Sequence, residues 1–188
     1  SMFCDIQLLT SIDLSNLETS LVTDFGWLFY NCESLESLDL SNFNTSNAKF
    51  IDGMFNNCKS LKSLDLSNFK TYNASYMQYL FSYCESLIYL NLKSFTEENL
   101  RNENEMFEGA RNNLIYWIDE AKAPNITKAI QTIPSNNNSL DPCFLQPAIL
   151  LFDEKKCISC RDQNISFQYR YNNECVQSCP KRTKINLY

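Results

Sequence analysis

The chain has 188 residues, a formal net charge of −6 and no histidine. Its length allows one elongated domain and a small second one, and the acidic balance argues against nucleic acid as the main partner. The absence of histidine removes the commonest general base and the commonest metal ligand, which argues against an enzyme. No apolar run approaches the roughly 18 residues of a membrane-spanning helix, so we expect no transmembrane segment within the chain.

A repeat with a period of 26 residues organises the first part of the chain. Its copies are residues 9–34, 35–60, 61–86 and 87–112, and they follow one another without a gap. One column of equivalent positions contains Leu14, Leu40, Leu66 and Leu92, and another contains Phe29, Phe55, Phe81 and Phe107. A fixed period of this length predicts a solenoid. Met2 and Phe3 match Met54 and Phe55 two periods later, which predicts further copies upstream.

The first half of each copy predicts a β-strand. Apolar and polar residues alternate at Leu38, Asp39 and Leu40, so that Asp39 points away from the core. One strand per copy predicts a parallel sheet with about 4.8 Å between neighbouring strands. An asparagine column follows the strands, and we expect it to bond backbone groups where the chain bends. Its members are Asn16, Asn42 and Asn68.

The second half of each copy predicts a short helix. Phe50, Ile51, Met54 and Phe55 fall at positions i, i+1, i+4 and i+5, and residues 76–81 repeat this spacing. Such spacing places the apolar side chains on one face of a helix. We therefore expect helices on the wall opposite the sheet.

The pattern LxxLDLSNFxTxx…MFxxC is similar to the BspA-like family of leucine-rich repeats, surface-protein repeats first grouped as a domain of unknown function in mycoplasma and also found in protists. The resemblance covers about residues 1–112. It implies an α/β leucine-rich repeat solenoid, with parallel strands on one wall and short helices on the other, in an adhesion-type protein at the cell surface. The fourth copy departs from the pattern, since Asn91 replaces Asp, Ser94 replaces Asn and Ala110 replaces Cys.

The period fades in residues 113–133. Tyr116 and Ile118 keep the two inward strand positions, but the later columns are lost. A solenoid needs an atypical terminal unit to cover its last apolar face. We therefore place a C-terminal cap at residues 113–133, the solenoid domain at residues 1–133, a linker at 134–142 and a cysteine-rich module at 143–188, which we expect to continue further.

Three cysteines, Cys32, Cys58 and Cys84, share one repeat position. Their side chains project in the same direction from successive copies, so we expect small buried thiols. A metal ladder or a redox site is the alternative, but supporting ligands are lacking.

The module contains a second group of cysteines, with the spacing C-x2-C-x14-C-x3-C-P from Cys157 to Cys179. The spacing leaves two interpretations open, a zinc site with four cysteine ligands and a disulfide-stabilised module. The aromatic residues between the pairs and the final Cys-Pro resemble furin-like or growth-factor-receptor-type cysteine-rich repeats of extracellular proteins. That resemblance implies the pairs Cys157–Cys175 and Cys160–Cys179. Cys143 is left over, to pair with a later residue or with another chain.

N-glycosylation sequons occur at Asn44, Asn73, Asn125, Asn137 and Asn164. Together with a disulfide module they predict an extracellular protein, at the cell surface of a unicellular eukaryote. An ordinary turn asparagine is the alternative at each position.

We expect the function to be recognition of a protein or glycan on another surface through one face of the solenoid, without catalytic residues or cofactors. The candidate face consists of the outward strand positions Ser11, Asp13, Ser37, Asp39, Ser63, Asp65, Tyr89, Asn91 and Lys93. Calcium is an additional hypothesis at Asp13, Asp39 and Asp65, because carboxylates about 5 Å apart favour a bound cation. Bonds from these carboxylates to neighbouring serine hydroxyls and water are the alternative.

Two other functions are compatible with the sequence. One is a structural subunit of a surface coat or extracellular filament, in which copies of the chain assemble by solenoid stacking and cysteine-rich joints. The other is an intracellular scaffold with a zinc-bound module.

Overall fold

The computed structural model describes residues 2–112, 114–133, 169–171 and 174–176. The chain divides into two units, Ser1–Asn136 and Asn137–Tyr188. The first unit contains strands β1 (Ser63–Asp65), β2 (Tyr89–Leu92) and β3 (Ile115–Ile118) and helix α1 (Pro124–Gln131). In the second unit, strands β4 (Tyr169–Tyr171) and β5 (Glu174–Val176) form an antiparallel pair. The predicted linker at 134–142 lies outside the described residues. None of the helices in the described ranges is both long and apolar enough to cross a membrane.

Strands β1, β2 and β3 form a parallel sheet in that order. Ser63 pairs with Tyr89, and Tyr89 pairs with Ile115, so each strand is displaced from the next by one repeat period. The predicted parallel pairing of equivalent positions is therefore confirmed for these strands, and the fold is a repeat-type α/β arrangement. The strand predicted at Tyr116 and Ile118 is confirmed by β3.

The strands predicted for the first two copies, at residues 12–14 and 38–40, do not form. Hydrogen bonds between the copies lie just before these segments instead. The Glu36 N–H donates to the Thr10 carbonyl at 3.1 Å, and the Lys62 N–H donates to the Glu36 carbonyl at 3.4 Å. The segments keep the alternation of a strand, with Leu40 buried and Asp39 exposed, but they lack its hydrogen-bond ladder.

The short helices predicted for the second half of each copy are also wrong, since α1 is the one helix among the described residues. Two positions in each copy have a left-handed backbone with φ of 55° to 64°. They are Trp27, Gly53, Tyr79 and Glu105 in one column, and Asn31, Asn57, Tyr83 and Gly109 in the other. A left-handed residue every fourth position interrupts a right-handed helix. The chain forms tight turns instead.

These turns bond to the next copy rather than within a helix. The Phe29 N–H donates to the Met54 carbonyl at 3.0 Å, and the Phe55 N–H donates to the Leu80 carbonyl at 3.1 Å. Isolated parallel bridges join Asp24 to Phe50, Phe50 to Tyr76 and Tyr76 to Asn102, again one period apart. Each copy is thus held to its neighbours in both halves of the repeat.

A column of phenylalanine rings runs through the core. The centroids of Phe29 and Phe55 are 6.0 Å apart, and those of Phe55 and Phe81 are 5.8 Å apart, with nearly parallel planes. Phe3 and Phe107 extend the stack at its two ends. Offset stacking at these distances adds to the free energy gained by burying the rings.

Helix α1 completes the core after β3. Ile126 and Ile130 are buried and belong to the same apolar cluster as Ile118. Glu97, from the preceding copy, accepts the Ile126 N–H at 2.7 Å and the Asn125 side-chain amide at 2.9 Å. The helix has no side-chain cap of its own at Ala123, so Glu97 supplies the acceptor for its first turn.

Candidate functional site

The predicted face is built on three exposed aspartates that adopt one local structure. The Oδ1 atoms of Asp13, Asp39 and Asp65 each accept the backbone N–H of the serine two residues later at 2.9 Å. This hydrogen bond forms an Asx turn, which fixes the orientation of the carboxylate in each of the three copies. The main hydrogen bond that each aspartate carboxylate accepts therefore comes from a serine backbone N–H. Asn91 repeats the turn in the fourth copy, where it accepts the Lys93 N–H at 3.1 Å.

The same turn explains the electrostatics of the aspartates. The N–H of Ser15 lowers the pKa of the Asp13 carboxyl, and the N–H of Ser41 does the same to the pKa of Asp39. The turn thus favours the charged form of both carboxyls. In the described part of the chain, no group of three or more His, Cys, Asp or Glu side chains could hold a metal ion.

The other predicted face residues differ in exposure. Ser11, Ser37, Ser63 and Lys93 are exposed, and Asn91 is half-buried. Tyr89 is 7% exposed and offers little surface for a partner. It opens the central strand β2, where Ser63 and Ile115 pair with it from the two sides. The usable face is therefore made of the aspartates, the serines and Lys93.

The repeated cysteines are packed in the core, as their shared position predicts. Cys32, Cys58 and Cys84 are free thiols with 0% exposure. The Cys58 thiol donates to the Phe29 carbonyl and the Cys84 thiol to the Phe55 carbonyl, both at 3.2 Å. Burial raises the pKa of Cys84 to about 12 and raises the pKa of Cys58 further. A thiol that stays protonated is a poor nucleophile and a poor metal ligand.

Two polar ladders hold the bends of successive copies together. Asn42 Nδ2 donates to the Leu14 carbonyl at 2.8 Å, and Asn68 Nδ2 donates to the Leu40 carbonyl at 2.9 Å, which confirms the predicted asparagine column. A threonine ladder was not predicted. Thr45, buried at 1% exposure, accepts the Lys70 N–H at 2.7 Å and donates to the Lys70 carbonyl at 3.2 Å. The recurrence of Thr19, Thr45 and Thr71 at one position was the available signal.

The asparagine side chains of the sequons within the described residues form different hydrogen bonds. Asn44 is exposed, and its Oδ1 accepts the N–H and the hydroxyl of Ser46 at 3.0 and 2.6 Å. Asn73 Nδ2 donates to the Ser46 carbonyl at 2.8 Å, and Asn125 Nδ2 donates to Glu97. The amide nitrogen that a glycan would modify is thus engaged at Asn73 and Asn125.

The remaining predicted residues lie in the second unit. The sequons Asn137 and Asn164 and the cysteines Cys143, Cys157, Cys160 and Cys179 lie outside the described residues. Cys175 lies on β5, where it pairs with Arg170 of β4. The proposed pairs Cys157–Cys175 and Cys160–Cys179 therefore stay predictions.

A pocket that the sequence did not predict lies in the turn half of the copies. It has a volume of about 520 Å³ and is lined by Cys4, Asp24, Gly26, Trp27, Tyr30, Phe50 and Asp52. Aromatic rings and two carboxylates thus face one space. Asp24 and Asp52 occupy different positions in the repeat. A comparison of equivalent positions in the sequence therefore does not predict that they lie close together.

Comparison with known families gives one match over the repeats. A family model described as "Mycoplasma protein of unknown function, DUF285" matches residues 1–117. The match spans the four copies and most of β3. Comparisons with curated proteins and with solved structures gave no match.

Proposed function

The chain belongs to the DUF285 family of Mycoplasma-type proteins of unknown function, and we propose that it is an extracellular recognition module. Its repeats form a BspA-like leucine-rich repeat solenoid, and it binds a protein or glycan on another surface. This architecture is supported by parallel pairing one period apart at β1, β2 and β3 and by the parallel bridges in the turn half.

The observation that carries the proposal is the column of identical aspartates. Asp13, Asp39 and Asp65 are exposed, and each is fixed by the same 2.9 Å bond to its own copy. Groups that are already ordered lose little conformational entropy when a partner binds them. Exposed serines beside them supply donors and acceptors for the hydroxyls of a glycan or the backbone of a protein.

The proposed location is the surface of a unicellular eukaryote. The second unit is then a furin-like or growth-factor-receptor-type module with the pairs Cys157–Cys175 and Cys160–Cys179. The exposed side chain of Asn44 supports glycosylation at that sequon, since its oxygen already contacts the Ser46 hydroxyl.

Assembly into a coat or filament by end-to-end stacking is less well supported. Helix α1 buries Ile126 and Ile130 against the last strand region, and its outward residues Asn125 and Lys128 are exposed and polar. A covered apolar end has little driving force for stacking. The binding function is therefore the one we propose.

The test neutralises the aspartate column without disturbing its turns. Asp13→Asn, Asp39→Asn and Asp65→Asn are combined in one full-length variant, because Asn91 already forms the same turn with an amide oxygen. Each change creates an Asn-Leu-Ser sequon, so all the proteins compared are produced in a host without N-glycosylation. The control combines Glu85→Gln, Glu98→Gln and Glu120→Gln, which removes the same charge from exposed positions elsewhere. Binding of the labelled proteins is measured on an array of glycans and immobilised extracellular matrix proteins.

We expect saturable binding by the wild type and the control, and a loss of about tenfold or more in affinity for the aspartate variant. Equal binding by all three proteins, or no binding by the wild type to any surface tested, would contradict the proposal. Sedimentation velocity on the same samples detects the alternative, because a coat or filament subunit forms larger species as its concentration rises.

A further inference from the structure

The pocket in the turn half has two carboxylates that converge on one glycine. A methyl group placed at Gly26 would lie 3.0 Å from Asp24 Oδ1 and 3.3 Å from Asp52 Oδ1. Asp24 Oδ1 accepts the Gly26 N–H at 2.8 Å, and Asp52 Oδ2 accepts the Trp27 indole N–H at 2.9 Å. Both carboxylates are therefore held in position. Each can still accept hydrogen bonds from a group bound in the pocket.

Aromatic rings form the walls of this pocket. Trp27 and Tyr30 meet edge to face with their centroids 5.3 Å apart, and Trp27 also contacts Tyr79 at 6.1 Å. Phe50, 39% exposed, stacks on Tyr76 at 5.3 Å. Gly53 lies beneath the Trp27 ring, where a methyl group would be 2.5 Å from the ring. The absence of a side chain at Gly53 thus leaves the space that the Trp27 indole occupies.

The negative charges of Asp24 and Asp52 repel each other unless a cation neutralises them. Burial raises the pKa of Asp52, and the charge of Asp24 raises it further. A cation placed between the two carboxylates would offset both effects. The aromatic faces would also attract a cation and contact the methylene groups that carry it.

We propose that this pocket binds the side-chain cation of a lysine or arginine from a protein partner. The ammonium or guanidinium group donates to Asp24 and Asp52, and the aliphatic stem lies against Trp27, Tyr30 and Phe50. A neutral sugar fits the aromatic walls as well, but it would leave the repulsion between the carboxylates in place. The site is separate from the column of Asp13, Asp39 and Asp65, so either site can fail without the other.

Trp27 reports directly on occupancy of the pocket. The chain has two tryptophans, so Trp117→Phe leaves Trp27 as the single indole. This full-length protein is titrated with short peptides that have lysine, arginine or the uncharged isostere norleucine at the centre, and with a neutral trisaccharide. Intrinsic fluorescence gives the affinities.

The carboxylates are tested by Asp24→Asn with Asp52→Asn in the same background. Asn102, in the repeat column of Asp24, accepts the N–H of Asn104 at 3.0 Å, so an amide keeps this turn. An amide oxygen at position 52 still accepts the indole N–H. Glu105→Gln with Glu108→Gln is the matched control, because it removes two charges from another carboxylate pair beside an aromatic ring, Tyr83.

We expect saturable quenching by the lysine and arginine peptides, at least about tenfold weaker binding of norleucine, and a similar loss for the aspartate variant but not for the control. Circular dichroism verifies that each variant is folded. Equal affinity for norleucine, preferential binding of the trisaccharide, or unchanged affinity in the folded aspartate variant would overturn the proposal.

Discussion

The same left-handed backbone position is occupied by different residues in different copies. Gly53 has a φ of 58° and lies under the Trp27 ring, whereas Glu105 has a φ of 55° in the same column and is exposed. Glycine adopts this region without steric cost, and other residues are strained there. The column therefore contains one position where glycine is required and another where it is absent.

We predict different effects on stability for two substitutions in this column. Gly53→Ala should lower the free energy of unfolding by about 2–4 kcal/mol, because the methyl group is strained by the backbone and overlaps the indole. Glu105→Gly should leave stability unchanged or raise it, since it relieves the same backbone strain. Urea denaturation measures both. A Gly53→Ala protein as stable as the wild type would show that the turn is not left-handed.

The buried thiols make stability depend on alkaline pH. The pKa of Cys84 is raised from 9.0 to about 12, and that of Cys58 is raised as well. Above pH 9 these thiols ionise in the unfolded chain but keep their protons in the folded one. The unfolded state then binds fewer protons, so the free energy of unfolding should fall as the pH rises from 9 towards 12.

Replacement of the thiols isolates their contribution. Cys58→Ala with Cys84→Ala is suitable because Ala110 occupies this position in the fourth copy. The double variant should show a shallower loss of stability between pH 9 and 12 than the wild type, when both are measured by urea denaturation. Parallel curves for the two proteins would mean that the thiols ionise as easily in the folded state as in the unfolded one.

At the scale of elements, helix α1 depends on a residue outside it. Glu97 accepts the Ile126 N–H, which otherwise has no partner in the first turn of the helix. Glu97→Ala should therefore cost about 1 kcal/mol of stability, as the loss of a helix cap does elsewhere. Glu98→Ala is the control, because Glu98 is exposed and adjacent. Thermal unfolding compares the two variants, and equal melting temperatures would contradict the capping role.

The strands and turns differ in how well the sequence predicts them. The alternation around Leu64 and Leu90 predicts strands, and β1 and β2 are present. The spacing of Phe50, Ile51, Met54 and Phe55 predicts a helix, but two successive tight turns also repeat every four residues. The spacing of apolar side chains alone does not distinguish a helix from two tight turns. The two structures differ in the sign of φ at Gly53 and Asn57, which is positive here. Gly53 and Asn57, residue types that favour a left-handed backbone, were the local signals for the turns.

Helix α1 could have been predicted but was not. Pro124 stands at its first turn, and Ile126 and Ile130 are four residues apart, which are ordinary helix signals. These signals lie in residues where the repeat columns are lost, so the repeat pattern does not indicate a helix there. The pocket around Trp27 was harder to predict, because stacking brings together residues such as Asp24 and Asp52 that are not equivalent in the repeat.

At the scale of the whole first unit, the 26-residue copy is the repeating structural element. Bonds between copies are offset by about one period throughout, and the Phe29, Phe55 and Phe81 rings stack in one core. Such an array gains stability from each copy and from each interface between neighbours. Removal of one whole copy should therefore shorten the stack without changing the packing of the rest.

Two deletions, one in phase with the repeat and one out of phase, show whether a whole copy is the structural element of the array. Removal of residues 61–86 joins Ser60 to Leu87 and brings Phe55 next to Phe107, with Gly53 still under Trp27. Removal of residues 61–73, half a copy, shifts every later apolar residue to a wrong position. We predict that urea unfolds the in-phase variant in one cooperative transition at a lower midpoint than the wild type, and that the out-of-phase variant shows none. Equal unfolding behaviour of the two deletion variants would show that the 26-residue period does not determine the packing.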